Sequence, residues 1–278
     1  QSRARLNLDE VGFHSHLTDP LTEILESPHG MILVTGPTGS GKTTTLYASL
    51  GLIARPDRKV LTVEDPVEIR FQGITQVQVN EEAQLTFATA LKSFLRADPD
   101  IMLVGEIRDT ETANLAAQAA LTGHLVLSTL HTNEAAGAAT RLINLGLEPF
   151  IIASALKAVL AQRLMRKLCR SCALPFEPTE EELKKVKWPE NIEVPDQLWK
   201  ASNAGCATCD GAGYKGRLVV GELIVISDKF AAGIVDMVSS SDLEKIAFED
   251  GTIGLHHDAI LWAASGATSL EEIKRAGV

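Results

Sequence analysis

The amino-acid sequence predicts an α/β fold, in which helices cover both faces of a sheet. Over residues 11–165, short apolar runs alternate with Ala-rich amphipathic stretches, which is the pattern of an α/β domain. The apolar runs have no polar face, as expected for strands that are buried on both sides. The predicted strands span residues 31–35, 60–63, 101–105 and 125–129, and the predicted helices span residues 42–53, 87–95, 110–121 and 135–144.

Composition and charge limit the classes of protein that fit. Of the 278 residues, 45% are hydrophobic and 22% are charged, as in ordinary globular proteins. A net charge of −10 disfavours direct binding of nucleic acid, because phosphate contacts need a basic surface. No apolar run approaches the roughly 20 residues that a membrane-spanning helix requires. Four cysteines are too few for a disulfide scaffold of this length.

Changes in composition divide the chain into four segments. Residues 1–10 carry no initiator methionine and are interpreted as a linker remnant of a missing N-terminal domain. Residues 11–165 form the α/β core. Residues 166–217 hold all four cysteines and are predicted to form a separate lobe, and residues 218–278 add a closing strand at 218–226 and a C-terminal helical region.

A phosphate-binding loop is the clearest motif. Residues 36–43 match G-x-x-x-x-G-K-[ST] in full, between a predicted strand and a predicted helix. Its glycines let backbone N–H groups point at a phosphate, and the helix N-terminus adds partial positive charge. Lys42 is expected to contact the β and γ phosphates, and the Thr43 hydroxyl is expected to bind Mg²⁺. The candidate nucleotide-binding residues are Gly36, Pro37, Thr38, Gly39, Ser40, Gly41, Lys42, Thr43 and Thr44. A Gly-rich turn without a ligand is the alternative.

Acidic side chains follow two of the predicted strands. Glu106 comes directly after strand 101–105, and Glu64 and Asp65 follow strand 60–63. Ligands of open α/β sheets bind at the carboxyl ends of the strands, so these carboxylates are candidates for orienting water or a metal ion. Gly105 stands where such a strand usually carries an aspartate. A solvated turn or a helix cap is the alternative for each acidic pair taken alone.

A histidine run follows the strand at 125–129. His131, Thr132 and Asn133 would reach the same strand end as the carboxylates and could sense the γ-phosphate. His124 precedes the strand. For both histidines a structural role is the alternative.

Four segments together resemble the secretion ATPase superfamily. They are GPTGSGKTTTLY, LTVEDPVE, ADPDIMLVGEIRD and TGHLVLSTLHTN, which correspond in this order to that family's Walker A, Asp box, Walker B and His box. The resemblance implies a RecA-like P-loop NTPase core that binds ATP or ADP with Mg²⁺ and acts as a hexameric motor. It also implies that Glu106 is the catalytic glutamate, that Glu64 and Asp65 position metal or water, and that His131 senses phosphate.

Members of that family also bring arginines to the nucleotide, some of them across a subunit boundary. Such a cation is worth about 10³–10⁵ in rate where negative charge spreads over the transferring phosphoryl group. The candidates are Arg96, Arg108, Arg141 and Arg217. Arg3 and Arg5 are candidates for the remnant of a linker that carries others. For any single one, a surface or salt-bridge role is the alternative.

The four cysteines form two C-x-x-C pairs. Cys169 and Cys172 are separated from Cys206 and Cys209 by 33 residues, which exceeds the usual spacing, so the intervening residues must form a small lobe. Four thiolates suit a tetrahedral Zn²⁺ ion. Disulfides are the alternative. The resemblance narrows to the type II secretion and type IV pilus-assembly (extension) ATPases, which carry this tetracysteine insertion.

The leading hypothesis is an ATP-hydrolysing hexameric motor that drives polymerisation of pilins or pseudopilins. Its implied partners are other copies of itself and the cytoplasmic domain of an inner-membrane platform or secretion protein, at a cytoplasmic location peripheral to that membrane. No direct contact with nucleic acid and no membrane insertion are expected. A DNA-translocating or conjugation-type ATPase and a nucleotide-gated interaction scaffold are the alternatives.

Overall fold

A computed structural model describes residues 7–278 and confirms the predicted α/β fold. Within these residues, seven strands form one sheet: β1 (Gly30–Thr35), β2 (Val60–Glu64), β3 (Thr75–Gln78), β4 (Ile101–Val104), β5 (Leu125–Leu130), β6 (Leu156–Leu168) and β9 (Tyr214–Val225). Their spatial order is β3-β2-β4-β5-β1-β6-β9. Neighbouring strands from β3 to β6 are parallel, and β9 closes the edge antiparallel to β6. The carboxyl ends of β1, β2, β4 and β5 therefore share one edge of the sheet.

Helices cover both faces of this sheet. The helices are α1 (Leu8–Val11), α2 (Ser15–Leu25), α3 (Lys42–Ile53), α4 (Phe87–Phe94), α5 (Thr110–Leu121), α6 (Gly137–Asn144), α7 (Pro149–Ala155), α8 (Glu180–Lys185), α9 (Asp228–Val235), α10 (Ser240–Glu249), α11 (Leu255–Ala264) and α12 (Leu270–Ala276). In β1, Ile32 and Val34 pack with α1–α3, whereas Met31 and Leu33 pack with the helices of the opposite face. Both faces of the strand are therefore buried, which is why its sequence shows no polar alternation.

The predicted elements of the core agree closely with the structure. The helices predicted at residues 42–53 and 110–121 are confirmed with the same bounds, and the other predicted core strands and helices are confirmed within two residues. Strand β6 had no counterpart among the predicted elements, and it runs through the boundary placed between residues 165 and 166. The segment predicted as a linker ends in α1, where Leu8 is buried. Residues 1–6, including Arg3 and Arg5, lie outside the described residues.

The cysteine-containing segment folds beside the edge of the sheet. Strands β7 (Leu174–Phe176) and β8 (Leu198–Lys200) pair antiparallel, and α8 begins at a capping box in which Thr179 and Glu182 exchange hydrogen bonds. Buried Glu272 on α12 accepts hydrogen bonds from the Arg166 backbone and side chain at the end of β6. The lobe therefore emerges from a strand that is fixed to the C-terminal helices.

Candidate functional site

The loop between β1 and α3 has the shape of a phosphate-binding loop. Gly36 has φ 141° and is buried, and a Cβ atom there would lie 2.3 Å from the Gln162 carbonyl oxygen. Gly41 has φ 89° directly before α3. These positions require glycine, the first for space and both for their left-handed backbone. The backbone conformation of the loop thus requires these two glycines, in addition to their predicted role in phosphate binding.

Lys42 begins α3 and turns its side chain back over the loop. Its Nζ donates hydrogen bonds to the carbonyl oxygens of Gly36 at 2.9 Å and Pro37 at 3.0 Å. Burial lowers the pKa of Lys42, and the nearby carboxylate of Glu106 opposes that shift. The lysine is thereby held between the loop and the acidic end of β4, where an anionic ligand would meet it.

Gln162 on β6 is a loop-supporting residue that the sequence did not reveal. It is fully buried, and its Nε2 donates to the Ser40 carbonyl oxygen at 2.7 Å. Its Oε1 accepts from Thr45 Oγ1 in α3 at 2.8 Å. The amide therefore ties the loop to the helix that follows it. The one available signal was a polar residue inside an apolar stretch.

Glu106 lies just beyond the end of β4 with its side chain only 12% exposed. Its carboxylate accepts a hydrogen bond from Arg108, and this bond is the main cause of a raised Arg108 pKa. His131 Nε2 lies 3.3 Å from the other carboxylate oxygen. Glu106 is thus in contact with Arg108 from its own motif and with His131 from the motif that follows β5.

Glu64 is held from three sides at the end of β2. Its side chain is buried and accepts hydrogen bonds from the hydroxyls of Tyr47 and Thr62 and from Gln76 Nε2 at 3.1 Å. Burial, followed by the hydrogen bond to Glu64, raises the pKa of Tyr47. Asp65, the next residue, is exposed. The two neighbouring carboxylates therefore have different environments, which their spacing alone did not predict.

Replacing Tyr47 with phenylalanine is expected to lower the free energy of unfolding by about 1.5–3 kcal/mol, because a buried carboxylate loses a donor. The Glu68 backbone N–H, which donates to the Tyr47 hydroxyl at 3.2 Å, loses its acceptor as well. Urea unfolding measures the change. Tyr214→Phe is the matched control, since it removes only the bond to the Ser269 hydroxyl at 2.7 Å. An equal or larger loss in the control would contradict a special role for Tyr47.

One pocket of about 620 Å³ joins these groups, a size within the range of ligand sites. The predicted residues that line it are Thr38, Gly39, Ser40, Gly41, Lys42, Thr43, Thr44, Glu64, Asp65, Glu106, Arg108, His131 and Arg217. Gly36 and Pro37 do not line it, and their carbonyl oxygens accept the Lys42 hydrogen bonds. Arg96 and Arg141 are exposed and do not line the pocket.

The remaining polar residues of the histidine run have local contacts. His124 Nδ1 lies 3.0 Å from the Ala119 carbonyl oxygen at the end of α5, which fits the structural alternative for this residue. Thr35 at the end of β1 contacts the Thr132 hydroxyl at 2.7 Å and accepts from its backbone N–H at 2.9 Å. Asn133 is exposed. The turn after β5 is therefore fastened to the strand that precedes the phosphate loop.

Glu222 on β9 joins the turn after β5 to the C-terminal helices. Its buried carboxylate accepts from the backbone N–H groups of Ala135 at 3.0 Å and Leu255 at 3.4 Å. Burial raises the Glu222 pKa against the effect of these two bonds, and Glu244 and Glu134 raise it further. A carboxyl group in this position is more readily protonated in the folded chain than in the unfolded chain.

That raised pKa predicts a pH-dependent contribution to stability. The contribution is fully present below the unfolded value, about 4.3 for glutamate, and is lost as pH rises through the folded value. The free energy of unfolding of the native chain, relative to that of Glu222→Gln, should therefore fall as pH rises above about 4.3. Urea unfolding of both chains over a pH series measures this difference. A difference that rises with pH, or does not change, would contradict it.

The four cysteines converge at the base of the lobe. The Sγ atoms are 3.7 Å apart in the pairs Cys169–Cys206, Cys172–Cys209 and Cys206–Cys209. A disulfide would bring two sulfurs to about 2.0 Å, so the disulfide alternative does not fit. Four sulfurs at about 2.3 Å from a tetrahedral ion would lie roughly 3.8 Å from one another. The cluster thus has the donor set and the spacing of a metal site with four cysteine ligands.

Comparison with known proteins places the chain in a family. Residues 1–275 match the profile described as type II/IV secretion system protein. The chain belongs to this family. The resemblance predicted from the four motifs is therefore confirmed. Among described residues, no helix is both long and apolar enough to cross a membrane.

Family members from two kinds of machine are similar to this chain. The type II secretion system protein HxcR of Pseudomonas aeruginosa is 47% identical over 271 residues, covering 98% of this chain and 53% of its own. The type IV pilus assembly ATPase PilB of Thermus thermophilus is 46% identical over 266 residues, covering 96% of this chain and 30% of its own. The chain therefore spans about half or less of these relatives. A crystal structure of the pilus retraction motor PilT with bound ADP superposes with a TM-score of 0.71 at 26% identity, covering 97% of this chain and 66% of PilT.

Proposed function

We propose that the chain is the ATP-hydrolysing part of a hexameric motor that drives pilin or pseudopilin polymerisation in type IV pilus assembly or type II secretion. The observation that carries the proposal is the pocket that Lys42 and Thr43, after β1, line together with Glu106, after β4, at the shared carboxyl edge of the sheet. The names of PilB and HxcR support the two kinds of machine, between which these residues do not discriminate.

The side chains that line the pocket can each perform a different part of phosphoryl transfer. The loop N–H groups and Lys42 bind the phosphates and offset charge that develops on the transferring group. Glu106 orients the attacking water and accepts its proton, while Arg108 and His131 fix the carboxylate and bring positive charge and a proton donor near the γ-phosphate. Glu64 fixes the turn after β2 through its buried hydrogen bonds, so exposed Asp65 is the carboxylate free to reach metal or water.

Two metal ions fit the donor groups that are present. The Thr43 hydroxyl and the pocket carboxylates supply oxygen ligands, which Mg²⁺ prefers. When bound, Mg²⁺ neutralises phosphate charge. The four cysteines supply the thiolates for Zn²⁺, which would fix the lobe rather than take part in hydrolysis.

Assembly and location follow the same proposal. Arg96 and Arg141 are exposed outside the chain's own pocket, so we propose that they or the pocket-lining Arg217 serve the nucleotide of a neighbouring subunit. The proposed partners are further copies of the chain and the cytoplasmic domain of an inner-membrane protein, with a cytoplasmic location peripheral to that membrane.

Phosphate release from Mg²⁺–ATP, measured over a range of protein concentrations, tests the proposal. We expect turnover per chain to rise as hexamers form in sedimentation measurements, and to be abolished in Lys42→Ala. Added DNA should leave the rate unchanged. DNA-stimulated turnover would favour a DNA-translocating ATPase instead, and absence of turnover from confirmed hexamers would favour a nucleotide-gated scaffold.

A further inference from the structure

A second cluster of ligand-type side chains lies away from the nucleotide pocket and the cysteines. His14, His16 and Asp258 each offer one atom, and these atoms lie within 4.8 Å of one another. His14 directly precedes α2, His16 lies in its first turn, and Asp258 lies in α11. The cluster therefore joins the beginning of the described chain to its C-terminal helices.

The carboxylate at the centre of this cluster is buried and held in a fixed orientation. Asp258 is fully buried, and its Oδ2 accepts the backbone N–H of Gly221 on β9 at 2.9 Å. Its Oδ1 faces both histidines, with His14 Nδ1 at 2.6 Å and His16 Nε2 at 3.3 Å. Because Oδ2 accepts the hydrogen bond from Gly221, Oδ1 remains available to the two histidines. Carboxylates that bind metals are oriented by hydrogen bonds in the same way.

The two histidines are also positioned for ligation. The His14 ring stacks on Trp262 with centroids 3.8 Å apart, which fixes the ring plane. Among residues 7–278, His16 Nε2 is buried without a hydrogen-bond partner, although it lies near Asp258. A buried ring nitrogen that lies 3.3 Å from a buried carboxylate oxygen without a hydrogen bond carries a desolvation cost that a bound cation would remove.

We propose that His14, His16 and Asp258 form a three-ligand site for Zn²⁺ or a similar divalent transition-metal ion. Two imidazoles and one carboxylate select such ions over Mg²⁺ and Ca²⁺, which prefer oxygen ligands only. Around a tetrahedral ion with bonds of about 2.0–2.1 Å, ligand atoms lie roughly 3.3–3.4 Å apart.

The His16–Asp258 separation already has this value, whereas His14 Nδ1 must draw back by roughly 0.7 Å from its hydrogen bond. Both histidine side chains are 23% exposed, so water can complete the coordination. An ion here would cross-link residues that are 244 positions apart in the chain. It would therefore clamp α2 to α11 independently of the nucleotide pocket and of the cysteine lobe.

Cobalt(II) added to the chain after its four cysteines are loaded with zinc tests this site. We expect one further equivalent to bind, with visible d–d absorption and without the near-ultraviolet charge-transfer band of a cobalt thiolate. X-ray absorption at the cobalt edge should show imidazole scattering and no sulfur shell. This measurement uses the unsubstituted chain and so does not depend on how any variant folds.

Variants identify the ligands. His14→Gln and His16→Gln should each weaken cobalt binding by at least about tenfold, while His29→Gln, at an exposed histidine outside the cluster, should bind as the native chain does. The thermal midpoint without cobalt checks that each variant is folded. Absence of a further equivalent, a cobalt spectrum without imidazole, or equal affinity in folded His14→Gln and the native chain would each overturn the proposal.

Discussion

Replacing Glu106 with glutamine is expected to lower the rate of ATP hydrolysis by about 10²–10⁴-fold, the usual contribution of a positioned general base. Glutamine keeps the shape of the side chain and can still contact Arg108, but it cannot accept a proton from water. Nucleotide affinity should change little, because the phosphate loop and Lys42 remain intact. Phosphate release under saturating Mg²⁺–ATP, together with equilibrium binding of a fluorescent nucleotide, separates the two effects.

Glu111→Gln is the matched control for this substitution. Glu111 lies in α5, is exposed, and pairs with Lys92 outside the pocket. Removing such an exposed ion pair costs about 0–1 kcal/mol and should leave turnover unchanged. Full turnover in Glu106→Gln would contradict the proposed catalytic role of Glu106.

Replacing Cys206 with serine is expected to have the largest effect on stability. Cys206 Sγ lies 3.7 Å from the sulfurs of both Cys169 and Cys209, so its loss opens the ligand set. A structural zinc ion contributes about 10–16 kcal/mol in zinc-finger peptides, where folding and binding are one process. We therefore expect zinc content to fall by about one ion per chain, the ion of the cysteine site, and hydrogen exchange across the lobe to accelerate strongly.

All four cysteines belong to the cluster, so the chain offers no other cysteine for a matched substitution. Metal chelation of the native chain is therefore the control for this variant. Chelation of the native chain should accelerate exchange in the same peptides, and added Zn²⁺ should restore protection in the native chain but not in Cys206→Ser. The α/β core should keep its protection throughout. A lobe that is insensitive to chelator but loses protection with a reducing agent would show disulfides instead.

The sequence predicted those elements whose local residue pattern favours the same structure that their position in the folded sheet requires. Strands β1, β2, β4 and β5 are short apolar runs buried on both faces, and each parallel strand is followed by turn residues and a helix or a further strand. Because parallel strands bring their carboxyl ends to one edge, the motifs at those ends had to converge. The contact of Glu106, after β4, with His131, after β5, is the result of that rule.

Elements whose residues favour another structure were not predictable in the same way. Strand β6 is rich in Leu, Ala, Lys and Arg, which favour helices, and it is a strand because β1 and β9 pair with it on both sides. Strand β3 is short and polar. In α2, Pro20 interrupts the usual helix signal. Tertiary packing, rather than local residue preference, determined the structure of these three elements.

The supporting residues of the site were hidden for a related reason. Gln162 acts from β6 and Gln76 from β3, so neither contact follows from a sequence motif. Tyr47 lies within the loop-and-helix motif, but its bond to Glu64 depends on how α3 packs on the sheet. Sequence spacing identifies groups that meet a ligand, whereas groups that hold them in place depend on packing across the sheet.

A structure of the chain with Mg²⁺ and a non-hydrolysable ATP analogue would show directly whether the ends of β1, β2, β4 and β5 form one site for ATP hydrolysis. We predict the β and γ phosphates in the loop at residues 36–43 and on Lys42, with Mg²⁺ on the Thr43 hydroxyl and Glu106 one water molecule from the γ-phosphate. Phosphates bound outside the loop, or a γ-phosphate that Glu106 cannot reach through one water, would contradict the account.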